Sequence, residues 1–206
     1  MAKLYFNYGA MNAGKSTILL QAAYNYEERG MHTLLLKPAI DDRGPNEDHI
    51  HSRIGLSNTA HNFNTDTNLK DYITAQHKQT AIDCIFIDEA QFLTKDQVWQ
   101  ISDIADNLRI PVMCYGLRTD FKGALFEGSA ALLAIADAVK EIKTLCWCGR
   151  KAIMTMRIAS DGQADNDGTQ IEIGGNERYI SLCRKHWAKG QSEKRRIETV
   201  RNEAAE

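Results

Sequence analysis

The segment from Gly9 to Ser16 has the residue types and the spacing of a phosphate-binding loop. It reads Gly-Ala-Met-Asn-Ala-Gly-Lys-Ser, follows the apolar run Leu4 to Tyr8 and precedes a helix-like segment. Glycines let the main chain curl until several N–H groups point at one phosphate, and the helix N-terminus adds partial positive charge. Lys15 would reach the β- and γ-phosphates of a nucleotide, and Ser16 would bind Mg²⁺. We therefore expect ATP to contact Gly9, Ala10, Met11, Asn12, Ala13, Gly14, Lys15 and Ser16. The alternative, a glycine-rich turn without a ligand, is disfavoured by the order of strand, loop and helix.

An acidic pair, Asp88 and Glu89, follows the apolar run Cys84 to Ile87. An acidic residue at the carboxyl end of a strand can hold Mg²⁺ beside a phosphate loop, and Asp88 is the better candidate for that role, together with Ser16. Glu89 could accept the proton of a water or a substrate hydroxyl that attacks the γ-phosphate. A solvated acidic pair at a strand end is the alternative, and the intact phosphate loop makes it the weaker one.

The same stretch, Asp88-Glu89-Ala90-Gln91, is also similar to the second motif of nucleic-acid helicases. A translocating ATPase linked to DNA is therefore a competing hypothesis. Such an enzyme needs two recombinase-like lobes to grip a strand, whereas this chain of 206 residues has one phosphate loop. The length of the chain argues against that hypothesis.

Two close pairs of metal ligands occur near the carboxyl terminus: Cys146 with Cys148, and Cys183 with His186. Zinc takes four nitrogen or sulfur ligands in a tetrahedron, and two short knuckles can supply them, as in zinc ribbons. Four protein ligands leave no position for water, so we expect one structural Zn²⁺ per chain. The other two cysteines, Cys84 and Cys114, lie in predicted strands and are expected in the core.

A zinc module that binds nucleic acid is the alternative use of this region, since four basic residues lie near the proposed ligands. They are Arg150, Lys151, Arg184 and Lys185. The chain as a whole has 25 Lys and Arg against 27 Asp and Glu, a formal net charge of -2. Because this balance gives no general attraction to a phosphate backbone, we expect no nucleic-acid partner.

The composition is that of an ordinary globular protein, with 43% apolar and 25% charged residues. The sequence contains no apolar run of 18 residues, and Met1 to Tyr8 lacks the layout of a signal peptide. We therefore expect a cytoplasmic protein with no membrane partner.

Short apolar runs alternate with longer amphipathic ones up to about residue 140, a pattern typical of an α/β fold with a mainly parallel sheet and helices on both faces. The pattern predicts strands at Leu4 to Tyr8, Thr33 to Leu36, Cys84 to Ile87 and Val112 to Tyr115. It predicts helices at Ser16 to Glu28 and Asp96 to Leu108, with a long surface excursion from Asp41 to Asn68.

After Lys143 the pattern changes to a small β unit. Strand-like segments at Ala152 to Ile158 and Gln170 to Ile173 flank a stretch rich in Asp, Gly and Asn. This unit is too small to be stable by burial alone, so the zinc would hold it together. We expect a nucleotide-binding domain at 1–143, a zinc-binding subdomain at 144–190 and a flexible tail at 191–206.

Four motifs are specific in combination: Gly9 to Ser16, Asp88-Glu89-Ala90-Gln91-Phe92, Tyr115 to Phe121 and Gly174 to Tyr179. Together they resemble the cytosolic, zinc-containing thymidine kinases, and the resemblance covers residues 1–188 and is close to the bacterial members. It implies a P-loop (RecA-like) α/β domain with a zinc-ribbon-like β subdomain that carries a lasso loop. It also implies transfer of the γ-phosphoryl group of ATP to the 5′-hydroxyl of thymidine or deoxyuridine, a homotetramer, and feedback inhibition by thymidine triphosphate (dTTP).

Matched position by position, the resemblance makes Glu89 the catalytic base. The residues that serve ATP and its magnesium are then the loop Gly9 to Ser16 with Arg43, Asp88, Glu89, Ala90 and Gln91. The residues that meet the nucleoside are Met11, Asp41, Phe92, Leu117, Phe121, Phe126, Tyr179 and the lasso positions Ile171, Glu172, Ile173, Gly174 and Gly175. The zinc ligands are Cys146, Cys148, Cys183 and His186.

Two positions depart from the family pattern. Ala90 replaces a Gly or Cys, which is a change between small residues. Glu172 occupies a lasso position that is normally apolar, and strand alternation would put it on the face opposite Ile171 and Ile173.

The sequence as a whole leaves three functional hypotheses: a deoxynucleoside kinase, a DNA-linked ATPase, and a zinc-stapled nucleotide-binding module without catalysis.

Overall fold

The computed structural model describes residues 2–41, 48–159, 163–165 and 178–192. The chain forms two compact units. The first unit contains Met1–Gly9, Gly14–Arg118 and Leu125–Ile142. The second unit contains Ala10–Ala13, Thr119–Ala124 and Lys143–Glu206. The tip of the phosphate loop therefore groups with the carboxyl-terminal part of the chain.

Twelve strands occur in the described residues. In chain order they are β1 Leu4–Tyr8, β2 Thr33–Pro38, β3 His49–His51, β4 Ser57–Thr59, β5 His61–Phe63, β6 Cys84–Ile87, β7 Val112–Gly116, β8 Ala138–Glu141, β9 Thr144–Leu145, β10 Lys151–Ala152, β11 Met154–Arg157 and β12 Tyr179–Leu182.

A parallel sheet forms the centre of the first unit, with strand order β5-β2-β6-β7-β1-β8. Each neighbouring pair is parallel. The central strand β6 is buried along its whole length, which explains why its sequence, Cys-Ile-Phe-Ile, is apolar at every position. Because carboxyl ends of parallel strands share one edge of the sheet, Gly9 after β1 and Asp88 after β6 emerge at the same edge.

The helices are α1 Lys15–Glu27, α2 Leu69–Gln79, α3 Lys95–Asp103, α4 Glu127–Ile135 and α5 Arg184–Ala188. A 3₁₀ turn covers Ala90–Phe92, and a π-helical turn, Ile104–Leu108, continues α3. Side chains cap the N-termini of two of these helices. Asn68 accepts from the N–H of Asp71 at α2, while Thr94 and Gln97 cap each other reciprocally at α3.

The second unit contains two small antiparallel pairs, β9 with β10 and β11 with β12. Its apolar cluster comprises Cys146, Ala152, Met156, Ile158, Leu182 and Cys183. The cluster is small and includes two proposed zinc ligands, so a metal would add stability where burial contributes little.

The predicted α/β class with a parallel sheet is confirmed. Strands β1 and β6 have the predicted bounds, while β2 and β7 extend one or two residues further than predicted. The predicted surface excursion is wrong in part, because β5 joins the main sheet beside β2. Strand β5 has the sequence His-Asn-Phe, and only the phenylalanine is buried. Because its other two residues are polar and exposed, the sequence pattern did not indicate this edge strand.

The predicted β unit is only partly described. Strand β11 lies in the predicted segment Ala152 to Ile158, and its partner in the structure is β12, which was not predicted. The other predicted strand, Gln170 to Ile173, lies outside the described residues, as does the tail from residue 193. In the described part of the chain, no helix has the length and apolar character needed to cross a membrane.

Candidate active site and metal centre

The phosphate-loop motif connects β1 to α1. The N–H of Gly9 donates to the carbonyl of Gly116, 3.2 Å away, which ties the start of the loop to the end of β7. Gly14, at the N-cap of α1, has φ +83, a left-handed conformation that glycine adopts at little cost. Asn12 also has positive φ, at 60, and asparagine tolerates this region better than most residues. Two residues of the motif, Asn12 and Gly14, therefore have left-handed main-chain conformations.

The hydroxyl of Ser16 donates to Oδ2 of Asp88 at 2.8 Å. Asp88 is only 2% exposed and Lys15 only 6%, so a cation and a carboxylate are both withdrawn from water in this part of the first unit. A serine hydroxyl beside a carboxylate is a set of hard oxygen donors, which suits Mg²⁺. The two residues predicted to serve magnesium are therefore brought into contact.

Glu89 has a left-handed main-chain conformation, with φ 47 and ψ 41. For a residue that is neither glycine nor asparagine this geometry costs of order 1–3 kcal/mol, and it concentrates at functional sites. The turn makes a sharp change of direction between the end of β6 and the 3₁₀ turn Ala90–Phe92. Glu89 is 5% exposed, so the turn places its carboxylate in a buried position.

The side chain of Gln91 joins that carboxylate to the next strand. Its Nε2 donates to Oε2 of Glu89, and its Oε1 accepts from the N–H of Leu117 at 2.9 Å. Gln91 is 2% exposed. A buried amide satisfied in this way is part of a fixed network.

Two glycines allow the main chain to pack closely around this turn. A Cβ at Gly116 would lie 2.7 Å from Oε1 of Gln91, and one at Gly128 would lie 2.6 Å from the carbonyl oxygen of Leu93. Real Cβ atoms essentially never come this close. Position 128 therefore requires glycine, because the contact is with the main chain, whereas a Cβ at position 116 would displace the end of the Gln91 side chain. The hydroxyl of Ser129 also donates to the carbonyl of Leu117 at 2.5 Å.

Three apolar residues predicted to meet the nucleoside belong to the first unit. The rings of Phe92 and Phe126 pack edge to face, with centroids 5.9 Å apart. Leu117 and Phe126 are buried, at 8% and 6% exposed.

In the second unit, the main chain of Met11 is bonded to the hairpin β11–β12. Its N–H donates to Oγ1 of Thr155 at 3.2 Å, and its carbonyl accepts from the hydroxyl of Ser181. Thr155 and Ser181 are paired directly across the two strands. The paired strands β11 and β12 therefore hold Met11, at the tip of the phosphate loop, through both its N–H and its carbonyl.

Phe121 lies in a turn that Asp120 organises, since Oδ1 of Asp120 accepts from the N–H groups of Lys122 and Ala124. The guanidinium of Arg157 lies over the Phe121 ring, 4.1 Å from its centroid. Nε of Arg157 is 3.0 Å from Oδ2 of Asp165. Arg157 is 3% exposed, and its charge is thus paired where it is buried.

The four predicted zinc ligands come together. Their ligand atoms all lie within 4.8 Å of one another. Nδ1 of His186 is 3.4 Å from the Sγ atoms of Cys146 and Cys183, and Sγ of Cys148 is 3.9 Å from Sγ of Cys183. A tetrahedron with ordinary Zn–S and Zn–N bonds has edges of about 3.6 to 3.8 Å, so the donor set fits Zn²⁺.

The surroundings of these ligands support the same interpretation. The backbone N–H of His186 lowers the pKa of the Cys183 thiol, which favours the thiolate that a metal requires, whereas burial raises the pKa of the Cys146 thiol. The ring of Trp147 stacks on His186 with centroids 4.0 Å apart, which fixes the imidazole plane. The four residues predicted to hold structural zinc are therefore clustered closely enough to hold one ion together.

The remaining cysteines, Cys84 and Cys114, are fully buried. Burial raises the pKa of the Cys84 thiol to about 12 and also raises that of Cys114. Both cysteines thus lie in the core, as the sequence predicted.

Six of the predicted site residues lie outside the described residues: Arg43, Ile171, Glu172, Ile173, Gly174 and Gly175. Asp41 is described, and its N–H donates to the carbonyl of Pro38 at 2.9 Å just after β2. Tyr179 is the first residue of β12, opposite Arg157 in the strand register.

Sequence reasoning missed Thr155, Arg157, Ser181 and Trp187. Thr155 and Ser181 contact Met11, and Arg157 and Trp187 contact Phe121. These contacts join residues far apart in the sequence, so no local pattern indicates them. Strand alternation along Met154–Arg157 groups Thr155 and Arg157 on one face, and that was the one available signal.

Comparison with known proteins gives a consistent assignment. The thymidine kinase family model matches residues 2–187. A thymidine kinase of Agrobacterium fabrum is 57% identical over 187 residues, covering 91% of this chain and 96% of that protein. Thymidine kinases of Novosphingobium aromaticivorans and Escherichia coli K12 are each 56% identical, covering 94% and 91% of this chain and 100% and 91% of their own lengths. The chain belongs to the thymidine kinase family.

Proposed function

We propose that this chain transfers the γ-phosphoryl group of ATP to the 5′-hydroxyl of thymidine, with Glu89 as the base. Deoxyuridine would be a second acceptor by the same chemistry, and dTMP and ADP are the products with thymidine. The reaction belongs to the salvage of pyrimidine deoxynucleosides. The family assignment supports the substrates, and the geometry of the first unit supports the roles of the residues.

The observation that carries the proposal is the contact between Ser16 and Asp88. It joins the end of the phosphate-loop motif to the end of β6, and the residue that follows Asp88 is the buried, left-handed Glu89. Lys15 at the end of the phosphate loop, the proposed metal-binding pair and the candidate base therefore all belong to one unit. Phosphoryl transfer needs mainly positioning and charge neutralisation, and this arrangement can supply both.

In the proposed reaction, the 5′ oxygen of the nucleoside forms a bond to the γ-phosphorus while the bond from that phosphorus to the β,γ-bridging oxygen breaks. The carboxylate of Glu89 accepts the 5′-hydroxyl proton. Lys15 and the N–H groups of the loop stabilise negative charge on the β- and γ-phosphates. ADP leaves with the bridging oxygen, and the proton on Glu89 returns to solvent.

Ser16 and Asp88 would hold the Mg²⁺ that accompanies ATP, because their oxygens are hard donors already in contact. The ion supplies charge neutralisation at the phosphates. Cys146, Cys148, Cys183 and His186 would hold one structural Zn²⁺ per chain, since they complete a tetrahedron without an open position.

The finer parts of the proposal rest on the family resemblance. Thymine would meet main-chain groups of the lasso, and the apolar contacts would come from Met11, Phe92, Leu117, Phe121, Phe126 and Tyr179. The sugar would lie near Asp41, and Arg43 would lie near the phosphates. We further propose a cytoplasmic homotetramer that dTTP inhibits by feedback.

Incubation with γ-labelled ATP, Mg²⁺ and thymidine tests the reaction. Labelled thymidine monophosphate is expected. Release of free phosphate that DNA stimulates, with no labelled nucleotide, would support the DNA-linked ATPase instead. Binding of ATP with neither product would support the module without catalysis.

Glu89→Gln tests the base. Loss of a general base costs about 10²-fold or more in turnover, while ATP affinity should stay largely intact. Glu127→Gln is the control, because Glu127, the first residue of α4, accepts from the main-chain N–H of Lys95 at the start of α3 and has no proposed catalytic role. A Glu89→Gln enzyme of unchanged rate would show that another group is the base.

A further inference from the structure

We propose that Gln91 is a positioning residue: it fixes the carboxylate of Glu89 for proton transfer and does not itself contact ATP. This inference rests on the proposed role of Glu89 as the base. It replaces the expectation, drawn from the family motif, that Gln91 serves the nucleotide.

The orientation of the amide is determined by the main chain. A backbone N–H can only donate, so the amide atom that faces the N–H of Leu117 at 2.9 Å must be the oxygen. The NH₂ group then points the other way, where Nε2 meets Oε2 of Glu89. Gln91 therefore presents a donor to the carboxylate, in an orientation that cannot flip without leaving Leu117 unsatisfied.

Both side chains are buried, with Gln91 2% and Glu89 5% exposed. Water therefore contributes little to orienting this carboxylate. The network continues behind Leu117, because the hydroxyl of Ser129 donates to the Leu117 carbonyl at 2.5 Å. Strand end, amide and carboxylate form a connected set in which each member limits the rotation of the next.

The space around the amide is also restricted. A Cβ at residue 116 would lie 2.7 Å from Oε1 of Gln91 and 3.0 Å from its main-chain nitrogen. Glycine at position 116 thus allows Gln91 to reach Leu117. The strained turn at Glu89 and the lack of a side chain at Gly116 both allow the Gln91 side chain to lie close to the end of β7.

The chemical consequence is preorganisation. A flexible glutamate side chain has several rotamers, and few of them aim an oxygen at a substrate hydroxyl. A misplacement of about 1 Å in a reacting group can cost on the order of 10²-fold in rate. A donor on Oε2 selects one rotamer and also stabilises the ionised carboxylate, which is the form that accepts a proton.

Gln91→Met tests the inference, because methionine is similar in length and lacks both hydrogen bonds. We expect kcat to fall on the order of 10- to 10²-fold, with the KM values for ATP and thymidine within about threefold of the wild type. A rise in the KM for ATP with unchanged kcat would overturn the proposal and restore the role as a nucleotide contact. An unchanged kcat with unchanged KM values would overturn it as well.

Gln97→Met is the matched control. Gln97 is a second buried glutamine of the first unit, 1% exposed. Its Nε2 donates hydrogen bonds to the main-chain carbonyls of Asn64 and Thr67. Both variants lose stability through unsatisfied main-chain groups, measurable by urea unfolding. Only Gln91→Met should lose kcat. Equal losses of kcat in both folded variants would indicate a general structural effect and contradict the proposal.

A double-mutant cycle separates this inference from the proposed function. In a Glu89→Gln background, Gln91→Met should change the residual rate by less than about twofold, because its effect acts through the carboxylate. The same loss in both backgrounds would show that Gln91 acts elsewhere, while Glu89 remains the base. An unchanged rate in Glu89→Gln alone would refute the base assignment itself.

Discussion

Trp187, the residue after the metal-ligand candidate His186, donates its indole N–H to the main-chain carbonyl of Phe121 at 3.1 Å. The same N–H lies 3.2 Å from the carbonyl of Thr155. Within the second unit, the helix that carries His186 is thus connected to the turn that carries a predicted nucleoside contact. Metal binding and the position of Phe121 are therefore expected to be linked.

Trp187→Phe tests that link, because phenylalanine keeps an aromatic ring and loses the donor. We expect the KM for thymidine to rise severalfold with little change in the KM for ATP, and the unfolding free energy to fall by about 1 kcal/mol. Steady-state kinetics with each substrate varied in turn measures the effect. Trp99→Phe is the control, since the Trp99 side chain is 53% exposed. Equal changes in both KM values would count against a specific link to Phe121.

Zinc should be present at one ion per chain and should stabilise the second unit. Cys183→Ser is expected to lose the metal and to lower the melting temperature, because three ligands hold Zn²⁺ far less well than four. Cys114→Ala, at a buried cysteine outside the cluster, should keep a full equivalent of zinc. Elemental analysis of both variants decides the matter, and a zinc-free wild-type protein that melts at the same temperature would contradict the site.

Ser16→Ala should weaken the use of MgATP by more than tenfold in kcat/KM, because it removes the hydroxyl that contacts Asp88. Ser16→Thr restores a hydroxyl at the same place and should recover most of the activity. Thr17→Ala, one residue further along α1, controls for a general effect on the helix. Activity of Ser16→Ala equal to that of Thr17→Ala would argue against a magnesium role for this hydroxyl.

The buried thiol of Cys84 should make the fold less stable in alkali. Its pKa is raised by burial from 9.0 to about 12. The stabilisation is complete below pH about 9, and it is lost as the pH rises from there towards 12. Between pH about 9 and 12, the unfolding free energy of Cys84→Ala should therefore fall less steeply with rising pH than that of the wild type. The two slopes should differ by up to about 1.4 kcal/mol per pH unit. Urea unfolding at several pH values measures the slope, and Val112→Ala, a buried change without a titratable group, should keep the wild-type slope.

The parts of the fold that the sequence predicted are those with strong local signals. Strands β1 and β6 are apolar runs followed by residues of recognisable chemistry, and their bounds were predicted correctly. Strand β8, Ala-Val-Lys-Glu, is an edge strand with no buried position, so neither an apolar run nor a clear alternation marked it. Helix α4 was missed as well, although it is largely apolar.

The residues of the site also divide into those that local sequence signals predicted and those that depend on tertiary contacts. The zinc ligands and the Ser16–Asp88 pair were predicted from residue type and spacing, and the structure brings each set together. The link from Gln91 to Leu117 could not be predicted, because it depends on a left-handed turn at Glu89 and on the packing of β7 beside β6. Tertiary contacts of this kind leave no periodic signal in the sequence.

The two hydrogen bonds of Met11 have a consequence for how the protein is made. They join a residue near the amino terminus to partners 144 and 170 positions later in the chain. During synthesis the tip of the loop therefore remains incomplete until Ser181 has left the ribosome, although β1 and α1 emerge early. A nascent chain that lacks β12 has the full motif in its sequence without both of the bonds that hold Met11, so we expect nucleotide binding to mature late in translation.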